Sequence, residues 1–365
     1  MGTVRILARR RPSATSATLS AMSSMTPRRA RRPWPAALAL VAASLLAGCT
    51  AGVGSSASAG PTGAGPTGAA PSAACATTPQ PDPATLPDWS AAAQQPSVFP
   101  QIINPAGTIA CGPTRFMFSF LDAKNVPVAA PDRAVTLKLY DLGADPATPA
   151  VTADADFIWA IEDSVGVYVA NVDFPTAGLW GAEFVTTPAG GTPESIKVQF
   201  DVQPTSSVVG IGDAAPPSDT PTLADVGGDV SRISTDPDPV EAFYTTSVAD
   251  AVAAKKPFVL IFATPKFCTS AQCGPTLDRV KPIAAAHPEM TFINVEPYEL
   301  QWTDGQLQPV LTGDPPQLTP VAAANEWRIA AEPWAFVVDG NGTITSSLML
   351  IFSDEELEAA IKAVE

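Results

Sequence analysis

Apolar and polar residues alternate with period two in several short runs between residues 97 and 203. In the clearest run, 196–202, every second residue is apolar and the residues between are Lys, Gln and Asp. Such alternation is typical of strands that bury one face, and turn residues such as Gly190-Gly191 separate the runs. We therefore predict that residues 97–203 form an all-β, immunoglobulin-like sandwich. Equivalent runs occur at 116–120, 135–139, 168–174 and 180–184.

The pattern changes after residue 240, where apolar runs are separated by segments that can be helical. Residues 258–263 are an unbroken apolar run, which suits a strand buried on both faces of a sheet. Ser353-Asp354-Glu355-Glu356 has the Ser-x-x-Glu form of a helix capping box. We predict an α/β fold for residues 240–365. Its expected helices are 240–255, 276–285, 321–327 and one after Ser353, and its expected strands are 290–295, 335–338 and 343–352.

Two segments of low apolar content separate these regions from the start of the chain and from each other. Residues 50–96 are rich in Gly, Ser, Ala, Pro and Thr, and they cannot bury enough apolar surface to offset chain entropy. We predict a disordered tether there. Residues 204–239 contain Pro216-Pro217 and Gly227-Gly228, which predicts a linker between the two folded regions.

Residues 1–49 are organised like a bacterial export signal. A basic cluster at 28–32 precedes an apolar segment that is too short to span a bilayer comfortably. The segment ends in Leu46-Ala47-Gly48-Cys49, which resembles the lipobox of bacterial lipoproteins. That resemblance implies acylation of Cys49 and attachment to the extracytoplasmic face of the cell membrane. Translation from Met25 instead of Met1 stays open, because residues 1–24 would make the signal unusually long.

The charge of the chain argues against binding to nucleic acid. The formal net charge is −15, and residues 1–49 hold eight Arg but no Lys, Asp or Glu. Without that segment, 13 of the 21 basic residues remain against 36 acidic ones, which gives −23. A protein this acidic repels phosphate backbones and anionic lipid headgroups.

The candidate chemistry lies in a loop that follows the buried run at 258–263. Phe267 and Cys268 open the loop, and Cys273-Gly274-Pro275 begins the next helical segment, which gives a Cys-x4-Cys pair. A buried strand followed by a Cys-bearing loop and a helix is the usual way of displaying redox thiols.

Residues 240–365 resemble the thioredoxin superfamily. The resemblance rests on the order helix-strand-helix-strand-helix-strand-strand-helix, the cysteine loop, Glu332-Pro333-Trp334 and the turn at 339–342. It implies that Cys268 is the attacking thiol and Cys273 the resolving thiol. It also implies that Pro333 is the family's cis-proline and shapes a substrate groove walled by Phe267 and Trp334. The expected partners are thiols or disulfides of exported proteins, and the resemblance implies neither a cofactor nor a metal.

The chain departs from the superfamily in two ways. The usual spacing is two residues between the cysteines, and two positions five apart in a regular helix are too distant for a disulfide. Cys268 must therefore precede the helix. The superfamily often has a buried acid on the central strand, where this chain has Phe262 or Ile261. Glu332 is the nearest alternative acid, and a carboxylate beside Cys268 would raise the pKa of its thiol.

The remaining cysteines, Cys75 and Cys111, can form a structural disulfide in an exported protein. Spacing does not fix this pairing, because the four cysteines after Cys49 allow three connectivities. Both can equally remain free.

Three other functions stay open. A non-catalytic scaffold would keep the Cys268–Cys273 bridge as a structural disulfide. A copper chaperone would need a His beside the thiols, and His287, the single His of the chain, is expected in a surface loop. A peroxidase of the superfamily has Ser or Thr three residues before its reactive Cys. Ser270 satisfies that spacing to Cys273, but Lys266 stands where the peroxidase has proline.

Overall fold

The computed structural model describes residues 75–89 and 96–365, all of which belong to one compact unit. Cys49, the signal at 1–49, Met25 and most of the tether at 50–96 lie outside the described residues. The described chain is predominantly β-sheet with few helices.

The first half is a β-sandwich of two four-stranded antiparallel sheets. One sheet has the order β1-β2-β6-β5 and the other has the order β4-β3-β7-β8. Phe118 of the first sheet and Phe184 of the second meet in the core, with ring centroids 4.7 Å apart. The prediction of an all-β region is thereby confirmed. The strands are β1 Val98–Ile102, β2 Gly112–Asp122, β3 Ala134–Asp141, β4 Val151–Asp154, β5 Asp156–Ile161, β6 Val165–Phe174, β7 Gly178–Thr187 and β8 Glu194–Val202.

The second half is built on a mixed sheet with the order β10-β9-β15-β16. Strands β9 and β10 are parallel, whereas β15 is antiparallel to both β9 and β16. All five residues of β9 are buried, as the unbroken apolar run predicts. Two small hairpins, β11–β12 and β13–β14, follow β10. The strands are β9 Phe258–Phe262, β10 Thr291–Val295, β11 Leu300–Thr303, β12 Gln306–Pro309, β13 Leu311–Thr312, β14 Gln317–Leu318, β15 Trp334–Val338 and β16 Ile344–Met349.

Four α-helices accompany this sheet, α1 Val248–Ala254, α2 Cys273–Ala286, α3 Ala322–Glu326 and α4 Asp354–Lys362. The capping box at the start of α4 is present, because Ser353 and Glu356 exchange hydrogen bonds. The helix expected over 240–255 is instead a short 3-10 helix, Glu241–Tyr244, followed by α1. Ser247 explains the break, since its side chain caps α1 by accepting from the amide of Asp250.

The mixed sheet packs on the outer face of the sandwich. Met117 of β2 points away from the sandwich core and is fully buried in one apolar cluster with Phe258 of β9 and Trp327. Strand β2 is therefore covered on both faces, although its alternating pattern suits a strand with one exposed face. The two halves consequently share a continuous hydrophobic core.

The segment 204–239 is packed along the second sheet. The amide of Gly212 donates to Ile344 O at 2.8 Å, and the amide of Ala215 donates to Gly342 O at the same distance. Val208 and Val209 join the apolar cluster that contains Met117. The predicted linker thus connects the two halves while contributing to their shared core.

Residues 75–89 lie on the sandwich, so the disordered tether predicted for 50–96 does not extend over all of it. Trp89 is buried against Tyr140, with ring centroids 5.0 Å apart, and Leu86 packs in the same small cluster. Composition does not reveal this boundary, because the segment has only two large apolar residues, Leu86 and Trp89, and both are buried.

Candidate functional site

The loop between β9 and α2 holds the Cys268–Cys273 disulfide, with Cα atoms 6.0 Å apart. Cys273 is the first residue of α2, and Cys268 precedes the helix. Ala271 adopts a left-handed conformation with φ of 60°, which turns the chain between the two cysteines. The loop thereby brings together two residues whose spacing would keep them apart in a regular helix.

The two sulfurs differ in exposure and in their neighbours. Cys273 is fully buried, whereas Cys268 is half-buried. The amide of Cys273 donates to Cys268 Sγ at 3.2 Å, and Ser270 Oγ lies 3.4 Å from the same sulfur. The amide donor in this position stabilises a thiolate at Cys268 when the disulfide is open.

Glu332 holds this loop through hydrogen bonds to Thr269. Glu332 is 2% exposed, and its Oε1 accepts from the amide of Thr269 at 2.7 Å and from Thr269 Oγ1 at 2.8 Å. Tyr298 donates its hydroxyl to Oε2 at 2.7 Å, and burial followed by the contact with Glu332 raises the pKa of that hydroxyl. The sequence identifies Glu332 as the nearest acid to Cys268, and the structure shows its carboxyl oxygens accepting from Thr269, the residue after Cys268, and from Tyr298.

Pro333 lies next to the cysteine loop, and the Glu332–Pro333 peptide bond is cis. Ser270 Oγ donates to the carbonyl of Glu332 at 2.7 Å, which ties the loop to the residue before Pro333. The structure therefore brings Cys268, Cys273 and Pro333 into one neighbourhood.

Trp334 was predicted to wall a groove beside the cysteines, and the structure places it on the opposite face of the sheet. Its indole donates to Ser347 Oγ at 2.9 Å and stacks on Phe336, in the cluster that contains Met117. Cys273 packs in the cluster on the other face. The reason is the period-two geometry of strands, which directs Trp334 away from the face that Ala335 shares with Cys273.

Phe267 is half-buried at the start of the loop, and the ammonium of Lys266 lies 5.5 Å from the centroid of its ring. Lys266 Nζ also donates to Gln306 Oε1 at 2.8 Å and to Leu307 O at 3.2 Å. The β11–β12 hairpin therefore borders the cysteine loop. Sequence reasoning missed this hairpin, although Asp304-Gly305 between its strands is a recognised turn signal.

The second disulfide joins Cys75 to Cys111, with Cα atoms 6.3 Å apart. It fixes the start of the described segment 75–89 to the loop before β2. Of the three connectivities left open by the sequence, the structure has Cys75–Cys111 together with Cys268–Cys273.

Two general properties of the described residues bear on the site. Within 75–89 and 96–365, no three or more His, Cys, Asp and Glu side chains gather closely enough to hold a metal ion. His287 bonds instead to Glu358 at 2.9 Å and Glu365 at 2.7 Å. No helix in the same residues has the length and apolar character needed to cross a membrane.

Comparisons with known proteins add little to this description. No protein-family model matches the chain, and a search of curated proteins finds no match. Among solved structures, the chain is similar to a DUF4426 family protein from Pseudomonas aeruginosa PAO1, with 14% identity over 30% of this chain and 91% of that one. The TM-score is 0.22, and at that value the likeness supports no conclusion about fold or function.

Proposed function

We propose that this protein is a thiol–disulfide oxidoreductase whose second half, residues 240–365, has a thioredoxin-like fold. The strand order β10-β9-β15-β16, with parallel β9 and β10 and an antiparallel β15–β16 pair, supports that assignment of fold. The cysteine loop leaves the carboxyl end of the buried central strand, where sheets of this kind carry their reactive groups.

The asymmetry of the cysteine pair is the observation that carries the proposal. Cys268 is half-buried and accepts a hydrogen bond from the amide of Cys273, whereas the side chain of Cys273 is fully buried. A partner can therefore reach one sulfur while the other is protected. The N-terminus of the 14-residue helix α2 adds a positive potential beside both sulfurs.

The reaction begins when a thiolate of the substrate attacks Cys268 Sγ. A bond forms between the substrate sulfur and Cys268, the Cys268–Cys273 bond breaks, and Cys273 leaves as a thiolate that takes up a proton. A second substrate thiolate then attacks the substrate sulfur of this mixed disulfide and releases Cys268 as a thiolate. The substrate dithiol has lost two electrons and two protons. The cysteine pair has gained both electrons, Cys273 has taken up one proton, and the other proton has gone to the solvent. Reduction of a substrate disulfide is the same sequence reversed.

Exported proteins that carry thiols or disulfides are the proposed substrates. The proposed setting is the extracytoplasmic face of the cell membrane, with Cys49 as the lipid attachment point. This part of the proposal rests on the lipobox-like sequence at 46–49, which lies outside the described residues. Disulfides persist in that compartment, which is consistent with the two bridges seen here.

The test is a redox titration of the full chain in glutathione buffers, read by mass shift after trapping free thiols with a maleimide. A double variant, Cys75→Ala with Cys111→Ala, isolates the Cys268–Cys273 signal. We expect this pair to equilibrate in the folded protein, and Cys273→Ala to accumulate mixed disulfides with exported proteins. If the Cys268–Cys273 bridge opens only on unfolding and no partner is trapped, the bridge is a structural disulfide and the proposal is wrong.

A further inference from the structure

The hydroxyl of Ser270 lies between the half-buried sulfur of the cysteine pair and the backbone beside Pro333. Its oxygen is 3.4 Å from Cys268 Sγ and 2.7 Å from the carbonyl oxygen of Glu332, to which it donates. The amide of Gln272 donates to the same hydroxyl oxygen at 3.3 Å. A single hydroxyl proton is therefore within reach of two acceptors, a sulfur and a carbonyl.

The charge on Cys268 decides which acceptor receives this proton. In the disulfide the sulfur is neutral and a weak acceptor, so the carbonyl of Glu332 receives the proton, in agreement with the shorter distance. Opening of the bridge leaves a thiolate at Cys268, and hydrogen bonds to ionised acceptors are roughly twice as strong as those to neutral ones. Because a hydroxyl proton rotates about its C–O bond, it can turn to the sulfur while the heavy atoms keep their places.

The carbonyl of Glu332 limits this preference. Glu332 is 2% exposed, and the hydroxyl of Ser270 donates to its carbonyl. When the proton turns to the sulfur, that buried carbonyl loses this donor, which costs free energy. The gain at the thiolate is partly offset, so we expect an effect smaller than a full charge-assisted hydrogen bond.

The sulfur of Cys268 has one further donor, and two charged side chains adjoin its loop. The amide of Cys273 donates to Cys268 Sγ at 3.2 Å. The carboxylate of Glu332 accepts from the residue after Cys268, and the ammonium of Lys266 donates to the β11–β12 hairpin. Removal of the hydroxyl at position 270 leaves all three groups in the chain, so a comparison of variants isolates the contribution of that hydroxyl.

We propose that Ser270 is a catalytic residue of the cysteine pair, whose hydroxyl donates to the Glu332 carbonyl in the disulfide state and to the Cys268 thiolate in the open state. This inference rests on the proposed oxidoreductase function. When a substrate dithiol is oxidised, the hydroxyl stabilises Cys268 as it leaves the mixed disulfide. When a substrate disulfide is reduced, it increases the fraction of Cys268 that is ionised and able to attack. The hydroxyl keeps its own proton throughout, so the electron and proton balance of the exchange is unchanged.

The experiment measures alkylation of Cys268 by iodoacetamide between pH 4 and pH 10, in the full chain carrying Cys273→Ala and reduced with a phosphine. Mass spectrometry of the peptide that contains Cys268 separates its rate from those of the other cysteines. Ser270→Ala should raise the pH midpoint of the rate profile by about 0.5–1, which is about a three- to tenfold lower thiolate fraction below the midpoint. Ser270→Thr retains a hydroxyl and should restore the original midpoint. Ser195→Ala removes a hydroxyl from an exposed serine of β8 and should leave the midpoint unaltered.

Circular dichroism establishes that each variant is folded. The role of Ser270 is overturned if folded Ser270→Ala keeps the midpoint of its parent, or if Ser270→Thr is shifted as far as Ser270→Ala. Failure of the proposed function is a separate result, because it is read from the redox titration of the intact cysteine pair. A bridge that stays closed in that titration leaves the alkylation profile of the Cys273→Ala chain measurable.

Discussion

Arg115 of the sandwich and Glu356 of helix α4 form a two-pronged ion pair, with Nε–Oε1 and Nη2–Oε2 distances of 2.7 and 2.9 Å. The pair lies 241 residues apart in sequence. Arg115 is 8% exposed and donates in addition to the carbonyls of Met349 and Ile351. A single side chain from β2 therefore contacts three consecutive parts of the second half.

Replacement of Arg115 by Leu should strongly destabilise the protein. It leaves Glu356 and two carbonyls without their donor, and loss of one partner from a buried pair costs about 3–5 kcal/mol. Because the side chain of Glu356 is 21% exposed, we expect about 2–4 kcal/mol here. Urea unfolding measures the change. Arg328→Leu is the matched control, since its contact with Asp213 is 3.9 Å long and exposed, and it should stay within about 0.5 kcal/mol.

Replacement of Glu332 by Ala should loosen the cysteine loop. It removes the acceptor of the Thr269 amide and of the Tyr298 hydroxyl, and each donor left unpaired costs about 1–3 kcal/mol. Hydrogen exchange at the Thr269 amide should accelerate markedly. Glu332→Gln retains an acceptor oxygen for Thr269 and should show a smaller effect. If the Thr269 amide keeps its protection in Glu332→Ala, the carboxylate does not hold the loop.

His287 should stabilise the protein at acidic pH only. Hydrogen bonds to Glu358 and then Glu365 raise the pKa of its imidazole above the ordinary value of 6.5. A raised pKa means that the stabilisation is complete below 6.5 and disappears as the pH rises through the higher folded value. His287→Gln should therefore lower Tm at pH 5.5 and change it little at pH 9. An equal loss of Tm at both values would contradict a charge-dependent role.

The contribution of Glu296 to stability should also fall as the pH rises, in this case because burial disfavours its charged form. Burial raises the pKa of Glu296 from 4.5 to about 7, so the native state keeps its proton at pH values where the unfolded chain has released it. The carboxyl therefore favours the folded state below pH 4.5, and this contribution is lost as the pH rises through 7. A change of one in pKa corresponds to about 1.36 kcal/mol. The change from 4.5 to about 7 therefore corresponds to about 3 kcal/mol of folding free energy.

In the variant Glu296→Gln, the side-chain amide cannot ionise and still accepts from Thr235. Relative to the unaltered chain, the variant should gain stability between pH 4.5 and pH 8, by about 1–3 kcal/mol in urea unfolding. Glu289→Gln, altered at an exposed site, provides the baseline. A stability difference that is constant across this range would show that Glu296 titrates normally.

The sequence predicts local features of the fold well, because they depend on neighbouring residues. The strand 258–262, the capping box at Ser353 and the sandwich strands all follow from period, composition and turn residues. The position of Cys268 ahead of the helix follows from the largest Cα–Cα distance that a disulfide can bridge, which residues five apart in a helix exceed.

Features that depend on distant packing do not follow from the sequence. Met117 lies in a strand whose alternating pattern suits one exposed face. The residues outside the sandwich that bury it, such as Val208 and Phe258, stand about 90 residues or more later in the chain. A cavity of about 350 Å³ lined by Asn294 and Glu296 is likewise built from segments far apart in sequence, between Asp219 and Ala323. The orientation of Trp334, by contrast, can be predicted from the sequence once the start of β15 is known. Side chains alternate between the two faces of a strand, and Trp334 lies on the face opposite to Cys273.

The burial of Met117 and Phe258 in one cluster has a consequence for the cooperativity of denaturation. Neither half of the protein can unfold without exposing apolar surface of the other half to water, so denaturation should be a single concerted transition. Fluorescence from Trp180 inside the sandwich and from Trp327 under the second sheet should accordingly trace one superimposable curve.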